Sequence, residues 1–391
     1  MLFSKMCGCF QTPMFKWRDE GLHRRDLLCA GGAGFVTALI ATLAGSSNTA
    51  RAQRLGVTVP EVDRLAIRIV TDNYTIPFDP SQKLDGLSIE RPGSNTVPGS
   101  PPRKNLTAEF GLSLHAESRR GTETRNMLID FGYTPETLLN NLDILKIDPS
   151  TLDALILSHG HYDHFGGLLG FLGATKGQLK KNIPFFIGGE DCFCTRETLN
   201  GGQFGALDRK AITDANLALM VSEGPSIVAD HAFTTGQIAL SSFEKPLVPT
   251  REKIGVIDGL GCFPDRMPTN KNTNTFIPDD YQHEIATNFV VKGKGLVVLT
   301  SCSHRGVINT VKQAQAASGV QKVHAVIGGF HIVPPLKDDY IRETVAALKA
   351  INPDYLVPMH CSGDSFREIA RTEMPQKMVR SNVGTRLVFG A

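Results

Sequence analysis

A short run of histidines and an aspartate is the part of this sequence best equipped for chemistry. From Ser158 to His164 the chain reads Ser-His-Gly-His-Tyr-Asp-His. Neutral imidazoles and carboxylates are the ligands that zinc, iron and manganese accept at neutral pH. Side chains two apart in an extended segment project to one side, so His159 and His161 can reach one ion. Asp163 and His164 lie past the bend and can reach a second ion; the alternative is a set of solvated or hydrogen-bonded histidines.

The elements around this run suit a site at the end of a strand. The apolar stretch 152–157 predicts a buried strand directly before it, and Gly166-Gly167 follows it. Towards the C-terminus we predict a βαβαβ rhythm, with strands at 296–299, 323–327 and 355–357 and helices at 308–317 and 340–351. Each of these strands is followed by a histidine, namely His304, His331 and His360. The pattern therefore predicts an α/β protein whose strand ends carry the reactive groups.

The first half of the chain also contains regular elements. We predict strands at 65–71 and 183–187, a hairpin from 112–117 and 126–129, and helices at 135–145 and 168–172. The polar segment 260–278 has few apolar anchors, and a loop of that length is often a lid or a binding loop.

The pattern His-x-His-x-Asp-His after a strand resembles the signature of the metallo-β-lactamase superfamily. Asp130, His304 and His360 stand where that superfamily has its preceding Asp, its third His and its last His. Longer strings resemble the dihydropterin–ribofuranosylaminobenzene phosphate synthase-like branch; they occupy 108–113, 300–306, 328–331 and 358–361. The similarity runs from about Leu65 to the C-terminus. It implies a four-layer αββα sandwich, formed by one catalytic domain over residues 53–391.

The resemblance also implies a complete two-ion site with six ligands. One ion would be held by His159, His161 and His304, and the other by Asp163, His164 and His360, with Asp163 also catalytic. Zinc is the expected metal, and iron or manganese are the alternatives.

One departure from the superfamily concerns the bridging Asp that hydrolytic members place between the third and fourth histidine motifs. We find no match, and the corresponding stretch ends at His331. His331 is therefore a candidate catalytic or substrate-binding residue; it could instead be a ligand or a buried structural residue. Arg305 is a candidate for pairing with an anionic substrate, with a surface salt bridge as the alternative. Asp130 is expected either to orient a ligand or to cap a turn.

Composition narrows the classes of function. The chain has 391 residues, 41% of them hydrophobic, and a net charge of +2. A single Trp, 7% aromatic residues and the lack of a basic stripe argue against nucleic acid as a partner. Five scattered cysteines follow the N-terminal segment, which does not predict a disulfide framework. Cys192 and Cys194 are expected at opposite-facing strand positions, and Cys302 and Cys361 to be small residues packed against the metal layer, although thiolates also bind zinc.

The first 52 residues are expected to form a cleaved export signal. Arg24-Arg25 precedes an uncharged, Gly- and Ala-rich run, and Ala50-Arg51-Ala52 resembles a cleavage site. This resembles a twin-arginine signal and implies a periplasmic protein without stable membrane association after cleavage; an uncleaved anchor is the alternative.

These observations favour an exported metal-dependent hydrolase. It would act on an anionic small molecule, such as a phosphoester or a lactone, through a metal-bound hydroxide. The alternatives are a pterin-related synthase or transferase, a diiron redox or sensor protein, and an inert ligand-binding protein. The sequence leaves the substrate and the oligomeric state open.

Overall fold

The structure, a computed structural model, describes residues 58–76, 78–92, 104–272 and 275–390. Within these ranges the α-helices are α1 (Pro135–Ile144), α2 (Tyr162–Phe165), α3 (Leu168–Ala174), α4 (Arg209–Asp214), α5 (Val307–Ser318), α6 (Asp338–Ile351) and α7 (Asp364–Glu373). Short 3-10 helices lie at Pro149–Thr151, Glu190–Phe193, Pro264–Arg266 and Thr269–Lys271. Helix α1 begins where its sequence predicts, because Pro135 is suited to a first turn and the Thr134 side chain accepts a hydrogen bond from the backbone N–H of Thr137.

The strands of the first half of the chain are β1 (Glu61–Val62), β2 (Arg64–Thr71), β3 (Gln82–Leu84), β4 (Leu87–Glu90), β5 (Ser113–Arg120), β6 (Glu123–Ile129), β7 (Ala154–Ile156), β8 (Pro184–Ile187), β9 (Thr195–Thr198), β10 (Gln203–Gly205) and β11 (Ala218–Val221). Those of the second half are β12 (Ile227–Val228), β13 (Ala232–Thr234), β14 (Thr250–Lys253), β15 (Gly255–Ile257), β16 (Leu260–Cys262), β17 (Phe276–Pro278), β18 (Thr287–Val291), β19 (Gly295–Thr300), β20 (Val323–Gly328), β21 (Tyr355–Pro358) and β22 (Arg386–Gly390).

Two large sheets carry the architecture. The first has the strand order β11-β8-β7-β6-β5-β2-β22-β4-β3, and the second β12-β13-β18-β19-β20-β21, with β1 beside β18. In the first sheet, β6, β7 and β8 run parallel. In the second, β19, β20 and β21 do so. The described residues also form two smaller sheets, with the strand orders β10-β9-β14-β17 and β15-β16.

The two large sheets pack face to face with helices outside them. One apolar cluster joins Ile67 and Met127 of the first sheet to Phe289 and Val297 of the second. A second cluster buries α1 and α3 against the first sheet, and a third buries α5, α6 and α7 against the second. Burial on both faces accounts for the continuous apolar run of β19. The predicted four-layer αββα sandwich is therefore confirmed.

Parallel strands bring their carboxyl ends to one edge of each sheet. The histidine run follows β7, and Asp130 follows its neighbour β6. His304, His331 and His360 follow β19, β20 and β21. The strand ends therefore assemble the candidate site.

Some predictions differ from the structure. Segment 260–278 is not one long loop, because it contains β16, two 3-10 helices and β17. Cys192 lies in a 3-10 helix rather than a strand, and Cys194 forms a disulfide with Cys262, a pairing that the scattered cysteines did not predict. Helix α7 and strand β22 were not predicted.

The expected export signal lies outside the described residues. The division at residue 52 into a signal and a catalytic domain stays a prediction. Among the described residues, no helix has both the length and the apolar character that a membrane span requires.

Candidate metal centre

The metal loop, residues 157–164, leaves β7 and turns into α2. His159 is buried, and Gly160 allows the loop to lie directly on a buried arginine. A Cβ at Gly160 would stand 2.4 Å from Nη1 of Arg196 and 2.7 Å from the carbonyl oxygen of Cys192. No side chain fits at that distance, so the glycine between the two histidines is required by packing.

Asp130 fixes the orientation of two imidazoles. Its Oδ2 accepts hydrogen bonds from Nδ1 of His164 and from Oγ of Ser158, both at 2.8 Å. The Ser158 hydroxyl donates its hydrogen to Asp130, so it accepts one from Nδ1 of His159, 2.9 Å away. The Nε2 atoms of both rings are thereby turned towards the candidate site, the orientation in which a hydrogen-bond partner at Nδ1 holds a metal-ligating histidine. The expectation that Asp130 orients a ligand agrees with this geometry.

The second sheet supplies the remaining histidines from strained turns. Ser303, His331 and His360 all have positive φ angles, between 46° and 57°, as has Asp130 after β6 of the first sheet. Non-glycine residues in this region cost energy, and they cluster where function requires a particular orientation. His360 is further fixed by Asn73, whose Oδ1 lies 3.4 Å from its Nδ1, and by Asp72, which accepts a hydrogen bond from its backbone N–H at 2.9 Å.

Two groups of side chains converge as the sequence predicts. His159, His161 and His304 form one group, and Asp163, His164 and His360 form the other. Within each group, the candidate ligand atoms lie within 4.8 Å of one another. Oδ2 of Asp163 lies 3.2 Å from Nε2 of His360 and 3.5 Å from Nε2 of His164. All six predicted ligands are therefore neighbours in space.

The donor set fits metal ions. The buried Nε2 atoms of His159, His161 and His360, and both ring nitrogens of His304, find no hydrogen-bond partner among the described residues. Buried polar atoms are normally paired, and a lone pair facing other lone pairs is favourable only with a cation between them. Neutral imidazoles and a carboxylate suit zinc, iron and manganese.

Burial and charge set suitable protonation states. Burial, reinforced by the neighbouring His164 and His161, holds the pKa of His159 well below its usual value, so its imidazole is neutral. Burial opposes ionisation of Asp163, but the charge of His164 outweighs it and holds the Asp163 pKa well below its usual range.

His331 lies at the edge of this group. Its ring centroid is 4.1 Å from that of His304, and its side chain is half-buried. Gly328 and Gly329 allow the turn before it, because a Cβ at Gly328 would stand 1.5 Å from the Thr300 carbonyl oxygen and one at Gly329 would stand 2.6 Å from Sγ of Cys361.

Arg305 does not reach the group. Its Nε donates to the carbonyl oxygen of Ile238 at 2.6 Å, and its Nη1 donates to that of Asp280 at 2.7 Å. Its predicted role in substrate binding stays a prediction without a supporting contact. Glu284, which the sequence analysis missed, accepts hydrogen bonds from the backbone N–H groups of His304 and Arg305, both at 2.8 Å.

Asp279 was also missed. Its Oδ2 lies 3.5 Å from Nε2 of His161 and accepts a hydrogen bond from Nε of Arg196 at 2.8 Å. Burial alone would raise the pKa of Asp279, but the Arg196 charge outweighs it and holds that pKa well below its usual range. Asp279 belongs to the polar string Asp-Asp-Tyr-Gln-His-Glu that begins there, a local signal that could have indicated it.

Comparisons with known proteins agree with this geometry. Residues 119–181 match the model of the metallo-beta-lactamase superfamily. The chain is 28% identical over 286 residues to the 7,8-dihydropterin-6-methyl-4-(beta-D-ribofuranosyl)-aminobenzene-5'-phosphate synthase of Methanocaldococcus jannaschii, covering 72% of this chain and 90% of that protein. It is 25% identical over 287 residues to an uncharacterized protein of the same organism, covering 72% and 94%.

A solved structure resembles this one across most of both chains. It is a metal-dependent hydrolase of the beta-lactamase superfamily, with a TM-score of 0.59, 20% identity, and coverage of 82% of this chain and 98% of that one. Members of this superfamily usually bind divalent metals, in keeping with the donor groups described above. The chain thus has the metallo-β-lactamase fold and is homologous to the dihydropterin-linked synthase of M. jannaschii.

Proposed function

We propose that this protein is an exported hydrolase that uses two divalent ions to act on a small anionic molecule. The observation that carries the proposal is the convergence of six donor side chains with unpartnered buried nitrogens. A structural metal site is closed by its protein ligands, whereas three ligands per ion leave positions for water and substrate. Ions held there would supply electrophilic stabilisation and an acidic water.

The chain's own residues would hold and orient the reactants. Asp130 fixes the orientation of His164 directly and that of His159 through Ser158, so their positions would change little during reaction. His331 is placed to contact a substrate oxygen beside His304. Asp163 is the one carboxylate of the two ligand groups and is the candidate to hold a proton released at the site.

A second candidate is a pterin-related synthase, and two observations favour it. The homologous M. jannaschii protein carries that activity in its name. Two exposed aromatic rings also border the site: Phe110 lies 5.1 Å from the ring of His360, and Phe204 lies 6.4 Å from that of His161 with its plane nearly parallel. Such rings suit stacking with a planar heterocycle. We rank this candidate second, because folate-like biosynthesis belongs in the cytoplasm.

The disulfide supports export. Cys194 and Cys262 are buried and bonded, and disulfides persist mainly in oxidising compartments. Replacement of Arg24-Arg25 by two lysines should block export if the segment is a twin-arginine signal, because Lys cannot reproduce the guanidinium geometry. Cell fractionation measures this. If the Lys-Lys variant were found in the periplasm in undiminished amount, the segment would be a general secretion signal or a membrane anchor and not a twin-arginine signal.

Metal analysis and turnover together test the proposed activity. Purified protein should contain two ions per chain and hydrolyse at least one member of a panel of phosphomonoesters, phosphodiesters, lactones and β-lactams, and chelation should abolish turnover. Incubation with a 7,8-dihydropterin that carries a leaving group on its 6-methyl carbon, together with 4-(beta-D-ribofuranosyl)-aminobenzene-5'-phosphate, tests the synthase; bond formation releases the leaving group and a proton. Synthase turnover without hydrolysis of any panel member would reverse the ranking. Iron as the bound metal, with redox cycling and no turnover, would favour the diiron alternative.

A further inference from the structure

Cys302 lies at the centre of the candidate metal centre. It follows β19, two residues before His304, and is buried. Its Sγ belongs to three groups of ligand atoms within 4.8 Å of one another: with His159 and His164, with His304 and His331, and with His360 and Cys361. These groups contain members of both predicted ligand triads. The sulfur is therefore within reach of both ions.

Cys302 is in direct contact with one of the predicted ligands, His164. Sγ lies 3.2 Å from Nε2 of His164. The Nδ1 atom of His164 faces Asp130, so Nε2 is the ring nitrogen that faces the sulfur. Two electron donors at this distance attract each other only if a hydrogen or a metal ion lies between them. The same sulfur lies 3.3 Å from Sγ of Cys361, which is also free among the described cysteines.

We propose that the Cys302 thiolate would serve as a further metal ligand in this site, beside the six ligands that the sequence indicates. The proposal rests on the two-ion site of the proposed function. Binding of the ions releases the thiol proton to solvent, so no oxidant or other reactant is required. Cys361 stands behind Cys302 and donates a hydrogen bond to its sulfur. A thiolate ligand would favour zinc or iron over manganese and magnesium.

Cobalt reports thiolate ligation directly. The exported protein is purified, stripped of metal and loaded with Co²⁺, and the thiolate-to-cobalt charge-transfer band in the near ultraviolet is recorded together with the cobalt content per chain. Wild type should show the band with two ions per chain. Cys302→Ser should lose the band and bind at least one ion about tenfold more weakly or worse.

Cys192→Ser is the matched control, because Cys192 is buried and free but lies in the 3-10 helix Glu190–Phe193. It should retain both the band and the cobalt. If Cys302→Ser does not fold, alkylation of wild type replaces it: zinc should protect Cys302 from iodoacetamide, as measured by peptide mass spectrometry, and removal of zinc should expose it.

The outcomes separate this inference from the proposed function. Two cobalt ions without a thiolate band in wild type would overturn the inference and leave the hydrolase intact. A thiolate band without turnover of any panel substrate would support the inference and count against the hydrolase. Failure to bind any metal would overturn both. A disulfide between Cys302 and Cys361 in metal-loaded protein, or a band that survives in Cys302→Ser, would also overturn the inference.

Discussion

Two buried polar clusters lie side by side in this fold. In one, the central side chain has a hydrogen-bond partner for its donors; in the other, several ring nitrogens have none among the described residues. The arginine cluster is centred on Arg196, whose guanidinium donates to Asp279, to Glu252 and to four backbone carbonyl oxygens. The histidine cluster comprises the rings of His159, His161, His304, His331 and His360, and each of these rings has at least one nitrogen without a partner among the described residues.

This difference indicates a structural role for the arginine cluster and a binding role for the histidine cluster. A charged side chain can be buried when its hydrogen-bond donors all have acceptors. The Arg196 side chain is fully buried and meets this condition. The histidine cluster is satisfied only when something else supplies the missing partners. The clusters touch at two points, the carbonyl oxygen of Gly160 and the carboxylate of Asp279. We therefore interpret the arginine cluster as a structural support that holds the metal loop in position.

The largest expected effect is on stability, in Arg196→Met. Removal of the guanidinium leaves Asp279 and Glu252 as buried carboxylates without their partner. Breaking a buried ion pair in this way costs about 3–5 kcal/mol. Urea unfolding measures the loss. The control is Lys210→Met, which removes an exposed pair with Asp214 and should cost less than about 1 kcal/mol. Equal stability of the two variants would contradict the role given to the arginine cluster.

In contrast to Arg196→Met, His161→Ala should change stability little but should lower metal content and turnover strongly. Nε2 of His161 has no hydrogen-bond partner among the described residues and the residue is only partly buried, so the free energy of unfolding of the metal-free protein should change by less than about 1–2 kcal/mol. Metal content should fall by at least one ion per chain, and turnover should fall to background, because no neighbour replaces this ligand.

Elemental analysis and turnover test this second prediction. The control is His324→Ala, because His324 lies near the start of β20, is buried and pairs with Asp354 instead of joining the histidine cluster. It should retain the metal. A His161 variant that keeps both ions and full turnover would remove His161 from the ligand set.

How much could be predicted from sequence depended on sequence separation. The metal loop is local, so the types and spacing of its residues indicated its chemistry. The ends of β19, β20 and β21 could be inferred from the alternation of strands and helices. The arginine cluster could not, because its pair of Arg196 and Asp279 joins residues 83 positions apart. The disulfide of Cys194 spans 68 residues and lacks a local pattern as well.

Glu244 is a buried carboxyl group outside both clusters, and it has hydrogen-bond donors but no cationic partner among the described residues. Its ionisation can therefore be tested by varying the pH. Its Oε2 accepts all its hydrogen bonds, from the backbone N–H groups of Ile308 and Asn309 and from the Ser242 hydroxyl. Burial raises its pKa to about 7, against the opposing effect of those donors. The Glu244 carboxyl therefore binds more protons in the folded protein than in the unfolded chain between about pH 4.5 and 7, and its contribution to stability is lost as the pH rises through this window.

Glu244→Gln should remove that dependence. The amide oxygen can take the place of Oε2, and the neutral side chain avoids the cost of a buried charge. At pH 8 the variant should be more stable than wild type by up to about 3 kcal/mol, and the difference should vanish near pH 4. Urea unfolding across this pH range measures it. A stability difference that does not change with pH would show that Glu244 ionises normally in the fold.

The smallest expected effect concerns His331, which belongs to the histidine cluster without belonging to either predicted triad. Its φ of 46° would strain an alanine, so the test is His331→Asn, since Asn adopts this backbone conformation more readily. Six side chains and the proposed thiolate already hold the ions, so the variant should keep both of them. The lost contact to a substrate anion should lower kcat/KM by roughly 10- to 100-fold, the size of a hydrogen bond to a charged group. Steady-state kinetics and elemental analysis on one preparation check both statements. Loss of one ion per chain would make His331 a ligand, and unchanged kinetics with lower stability would make it structural; either result would contradict the assignment to substrate.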